Sequence, residues 1–210
     1  MKKPGGLGGA MNINEWDKTI KMGNQGEELF ITTFKGVFEP ILKRIDYGLF
    51  PQSQKQGIDI ILSKQSVDFD VKSRDYSYHR YNDFLIETIS VVEDNKPGWI
   101  YYTKSQYIVY VWFNKFKTKF IDGYLIHLPQ FKVFFDKNIH LFRQPPDAVS
   151  ERNGKVWHTR NKIVPISKIP DICIKKVDME LLGVKEQLLL SDFFEFNCIK
   201  KQTSFEEFTR

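Results

Sequence analysis

Cysteine is scarce: the 210-residue chain has only Cys173 and Cys198. Neither has a second cysteine or a histidine at metal-clip spacing, which argues against a zinc ribbon and a disulfide scaffold. The four histidines, His79, His127, His140 and His158, are scattered, so spacing supports no histidine metal site and no Ser-His-Asp triad. Long hydrophobic runs are also missing. The longest, Tyr107 to Phe113, falls far short of the roughly 20 residues of a membrane helix. The first residues, with Lys2 and Lys3 before a Pro-Gly-Gly-Leu-Gly-Gly stretch, hold no apolar segment that would serve as a signal peptide, so a cytoplasmic location is expected. No internal repeat is visible.

What is present is an ordinary globular composition, 41% hydrophobic and 27% charged, enough to bury one core. Aromatic residues reach 15%, and most should pack that core. The net charge of +5 and a pI near 9.0 favour a polyanionic partner. Small size and a lysine-rich, aromatic composition also suit a phage or mobile-element protein, which would place the chain in a host cytoplasm.

Residues 1–22 begin with a glycine-rich stretch that has little to bury, and they are expected to form a flexible N-terminal arm. Asn24 as N-cap, apolar positions at Leu29, Phe30 and Phe34, and Gly36 as a stop predict a helix over 24–35. Short apolar runs predict strands near Ile41–Ile45, Ile58–Leu62 and Val67–Lys72, and again at Phe84–Val92, Tyr107–Phe113 and Phe120–Leu128. Pro129 opens a helix to about Leu141, and Lys155–Ile169 reads as a last strand. The expected organisation is an α/β domain over 23–170 and a helical C-terminal extension over 171–210, which packs on the core or serves a protein partner.

The chemistry concentrates in Gly57-Ile58-Asp59 and Asp70-Val71-Lys72. Side chains alternate along a strand, so Asp70 and Lys72 share one face while Phe69 and Val71 take the core face. Pairing of 58–62 with 67–72 as a hairpin brings Asp59 beside Asp70. Two converging carboxylates are hard oxygen ligands for Mg2+ or Mn2+, and Lys72 beside such an ion would position water or stabilise charge on a phosphate.

Asp59…Asp70-Val71-Lys72 resembles the signature of the PD-(D/E)XK, or restriction-endonuclease-like, nuclease superfamily, with Ile58 where that family has proline. The order of helix, three strands and a later helix and strand is similar to its αβββαβ core, a mixed central sheet flanked by helices. The resemblance implies a Mg2+-dependent deoxyribonuclease, an endonuclease in many members, with Asp59, Asp70 and the Val71 carbonyl as metal ligands and Lys72 as the catalytic lysine. Gly26-Glu27-Glu28-Leu29 resembles the first-helix segment of Holliday-junction-resolvase-type members, which implies a further metal-site role for Glu27. A solvated first-turn glutamate is the plain alternative. Many members act as homodimers.

Glu87, an acid within an apolar strand, reads either as an additional ligand or proton shuttle or as an edge or core-paired glutamate. Arg74, Tyr76, Tyr78, His79 and Arg80 interleave cations with aromatics directly after Lys72, and Lys115, Lys117 and Lys119 form a second basic segment. Both suit DNA, with RNA left open, and both also suit solvated loops. A catalytically silent nucleic-acid-binding or assembly protein on the same fold is the alternative to an enzyme.

Overall fold

The computed structural model describes residues 13–38, 42–44, 55–58, 60–62 and 67–177. It is a mixed α/β structure with two sheets and few helices. The first sheet is built on β6 (Tyr107–Phe113), in which every residue is buried. A run that is apolar at consecutive positions, not alternate ones, requires cover on both faces, and β6 has it. It lies between β3 (Val67–Arg74), to which it is parallel, and β7 (Phe120–His127), to which it is antiparallel. The order is completed by β1 (Leu42–Arg44) and β2 (Ile60–Leu62) beyond β3, and by β10 (Ile174–Lys176) beyond β7.

A parallel pair needs a long crossover. Here the chain between β3 and β6 supplies a six-residue 3-10 helix, Tyr76–Tyr81, then β4 (Asp83–Val91), β5 (Lys96–Pro97) and the short helix α2 (Trp99–Tyr102). β4 is recruited into a second sheet of order β5-β4-β9-β8, where β8 is Ala148–Arg152 and β9 is Lys155–Pro165. Helix α3 (Leu128–Asn138) follows β7, with Pro129 in its first turn.

Helix α1 (Ile13–Phe38) covers one face of the first sheet. Phe30 is fully buried with its ring centroid 6.4 Å from that of Phe69, which in turn stacks on Tyr107 at 5.8 Å. Removing a ring in that position costs about 3–5 kcal/mol. On the other face, Ile108, Tyr110 and Trp112 of β6 join Phe84 and Ile86 of β4 and Phe131 and Phe135 of α3 in the main core.

Three expectations need correction. The helix starts at Ile13, so residues 13–22 are not an arm and Asn24 is interior, not a cap. The last strand of the described chain is β10, not 155–169. Ile174–Lys176 pairs with β7, so the core extends beyond residue 170 into the segment expected to be helical. Residues 178–210 lie outside the described residues, as does the rest of that expectation. No helix among the described residues is long and apolar enough to cross a membrane.

Candidate functional site

β3 sets the site. Its alternation puts Asp70, Lys72 and Arg74 in register with Ile108, Tyr110 and Trp112, on the face toward the second sheet. β2 pairs with β3 only over Val67–Phe69 among the described residues, so from Asp70 onward the described strand has a neighbour, β6, on one side only. A cavity of about 500 Å³ lies there and is lined from both sides of β3. Glu27 comes from α1; Asp70, Val71 and Lys72 from β3; Glu87 from β4; Trp99 from α2; and Asn161 from β9.

Asp70 is completely buried. A carboxylate there needs compensation, and it receives the Lys72 ammonium, Nζ to Oδ1 at 2.6 Å, and the Thr103 hydroxyl, which donates to Oδ2 at 3.2 Å. Oδ1 is in contact with the Lys72 charge, and among the described residues it has no aligned hydrogen-bond donor. Lys72 also lies 5.8 Å from the centroid of the Trp99 ring.

Glu87 faces the same cavity. Burial pushes its carboxyl pKa up, and the nearby Asp70 charge pushes in the same direction, against the pull of Lys72 and of the Trp99 N–H that donates to Oε1 at 3.2 Å. Gly98 makes that hydrogen bond possible: its N–H bonds Thr88 O at 2.9 Å, and a Cβ at this position would sit 2.2 Å from Glu87 O. Asn161, nearly buried, is the register partner of Glu87 across β4 and β9.

The Gln56–Ile58 segment is clamped beside Asp70. Gly57 adopts φ +66°, its carbonyl accepts the Ser105 hydroxyl at 2.7 Å, and Lys104 N–H donates to Gln56 O at 2.8 Å. A Cβ on Gly57 would meet Thr103 Oγ1 at 2.4 Å, and that is the hydroxyl bonded to Asp70. Asp59 itself lies outside the described residues. The described ladder, with Ile60 opposite Phe69, stops one residue short of the expected Asp59–Asp70 pair.

Of the expected site residues, Glu27, Asp70, Val71 and Lys72 therefore line one cavity, and Glu27 is 6% exposed, not a solvated first-turn residue. Among the described residues no group of three or more His, Cys, Asp or Glu is close enough to hold a metal ion. The expected nucleic-acid residues divide. Tyr76, Tyr78 and Arg80 are exposed on the 3-10 helix. Arg74 is held by Asp83, Nη1 to Oδ1 at 2.9 Å, and His79 Nε2 lies 3.0 Å from Asp122 Oδ2 with its ring against Trp112. Lys115, Lys117 and Lys119 occupy the turn between β6 and β7, where Lys117 pairs with Asp75 at 3.5 Å.

Sequence reasoning did not reach Thr103, Trp99 and Asn161, whose roles come from contacts distant in the chain. Glu87 carried a signal: Phe84, Ile86 and Thr88 alternate inward, leaving Glu87 on the opposite face of β4. No protein-family model matches the chain, and no curated protein matches it.

Proposed function

We propose that the chain is a divalent-metal-dependent nuclease of the restriction-endonuclease-like type that hydrolyses DNA phosphodiester bonds. The observation that carries this reading is the placement of Asp70 and Lys72 on one face of β3, where among the described residues it pairs only with β6, inside a cavity that also receives Glu27 and Glu87. The α1–β1–β2–β3 order followed by the parallel β6 supports the fold assignment.

The residues fit a hard cation. All the candidate donors are oxygens, the type a hard cation takes, and the Asp70 and Glu27 carboxyl groups line the same cavity. Asp70, the Val71 carbonyl and Glu27 would hold the ion, with Asp59, which lies outside the described residues, as the further ligand the family resemblance implies. Bound there, Mg2+ or Mn2+ supplies Lewis acidity toward a phosphate oxygen and lowers the pKa of water.

The rest is done by the chain. Lys72 brings a fixed positive charge to where phosphate charge develops, and its seat against Asp70 and Trp99 sets its direction. Thr103 orients the Asp70 carboxylate through Oδ2. Glu87, anchored by the Trp99 N–H, retains its proton to higher pH than an ordinary glutamate and can hold or release it at the cavity wall.

The test is incubation of plasmid, linear and branched DNA with Mg2+, Mn2+ or EDTA. Metal-dependent cutting is expected. DNA binding without cutting under any metal would move the assignment to a silent nucleic-acid-binding protein.

A further inference from the structure

We infer that the Tyr76–Tyr81 helix is a stacking platform for an unpaired nucleic-acid strand that leads into the cavity, so that the substrate class is DNA with a single-stranded flank. This deepens the nuclease reading and rests on it. Tyr76, Tyr78 and Tyr81 are 50%, 48% and 54% exposed, and no residue of this helix is buried, so its aromatics contribute little to the core.

The Tyr78 and Tyr81 rings are held in place. The Arg74 guanidinium lies 4.8 Å from the Tyr78 ring centroid, and Arg74 is itself held by the side chain and carbonyl of Asp83. The Arg80 guanidinium lies 4.9 Å from the Tyr81 ring, and its Nη2 donates to the Tyr81 hydroxyl at 2.8 Å. The helix carrying them is pinned at both ends. Asp75 accepts from Ser77 N–H at 3.0 Å, and Asn82, at φ 49°, bonds back to His79 O and receives Ile166 N–H. A platform ordered beforehand loses little entropy on binding.

Arg74 also lines the cavity, so the path from Tyr81 through Tyr78 and Arg74 ends at Asp70 and Lys72. The exposed rings and the exposed Arg80 guanidinium match the two features of a single strand, free base faces and a phosphate chain. A duplex offers only the second, because its base faces are already stacked.

The test measures fluorescence anisotropy of the full chain in EDTA with a labelled single strand, the blunt duplex made from it, and the same duplex with a single-stranded flap. The single strand and the flapped duplex are expected to bind at least about tenfold tighter than the blunt duplex. Tyr78→Ala combined with Tyr81→Ala should remove about tenfold or more of single-strand affinity, while Tyr78→Phe, which keeps the ring, should retain it. Equal binding of single strand and duplex, or unchanged binding by the double alanine variant, would overturn the platform. Cleavage is scored separately. Single-strand binding through these tyrosines with no cutting in Mg2+ or Mn2+ contradicts the nuclease reading and leaves the platform standing. Cutting of blunt duplex as fast as flapped duplex overturns the platform and leaves the nuclease.

Discussion

Lys72 Nζ lies 2.6 Å from Asp70 Oδ1, two residues away on the same face of β3, and it supplies the opposite charge against a completely buried carboxyl group. Breaking a buried pair leaves the remaining charge uncompensated, so Lys72→Ala should destabilise the fold in EDTA by about 3 kcal/mol, the low end for such pairs because the lysine side chain is 27% exposed. Replacing both partners, with Asp70→Asn and Lys72→Met, should recover most of the loss. Urea unfolding of the single and double variants measures the coupling, and a Lys72→Ala cost below about 0.5 kcal/mol would show that the pair does not hold Asp70.

The same carboxylate should make the fold sensitive to divalent cations. An ion bound only by the native state raises stability by about 2.7 kcal/mol at a hundred times its dissociation constant. Mg2+ or Mn2+ should therefore raise the melting temperature of the wild type, EDTA should reverse the shift, and Asp70→Asn should abolish it. An equal shift in Asp70→Asn would place the ion elsewhere.

Glycine tolerance should track what each Cβ meets. At Gly98 the obstacle is the Glu87 carbonyl at 2.2 Å, which cannot rotate away, so Gly98→Ala should cost about 3 kcal/mol and separate Glu87 from Trp99 N–H. At Gly26 the nearest atom is Ser73 Oγ at 2.7 Å, the end of a side chain, so Gly26→Ala should cost less. Thermal melts of the two variants decide the order, and the reverse order would contradict the packing described.

How legible this was in the sequence depended on the range of the forces involved. Tyr107–Phe113 and Val67–Arg74 announce themselves locally, the first as an unbroken apolar run and the second as an alternation with acids and lysine on one face. The start of α1 does not. Gly23 and Gly26 lower helix propensity in its interior, and the close approach at Gly26, where a Cβ would lie 2.7 Å from Ser73 Oγ, shows only in the folded structure. β10 was hidden because three residues, Ile174–Lys176, owe their extended form to the waiting edge of β7. In the site, Asp70, Lys72 and Glu27 were marked by their pattern, whereas Thr103 and Asn161 gain meaning only from strands and turns far along the chain.

Glu87 carries a pH signature. Its pKa is raised in the folded protein above the ordinary value of 4.5, so the folded state holds the proton more tightly than the unfolded one. That contribution to stability is fully present below the unfolded pKa and is lost as pH rises through the folded pKa. Glu87→Gln, which keeps an acceptor for Trp99 N–H, should therefore gain stability relative to the wild type as pH is raised over a range from about 4 to about 8. Urea midpoints at the two ends of the range measure it, and a difference independent of pH would contradict the assigned shift.

The central claim is that Asp70 and Lys72 form a metal-dependent phosphodiester-hydrolysing centre. Single-turnover cleavage of DNA in Mg2+, comparing wild type with Asp70→Asn and Lys72→Ala under conditions where all three remain folded, tests it most directly. The account predicts cleavage by the wild type that EDTA stops, and a loss of about a hundredfold or more in each variant with DNA still bound. Cleavage that persists in EDTA, or variants that cut as fast as the wild type, would contradict it.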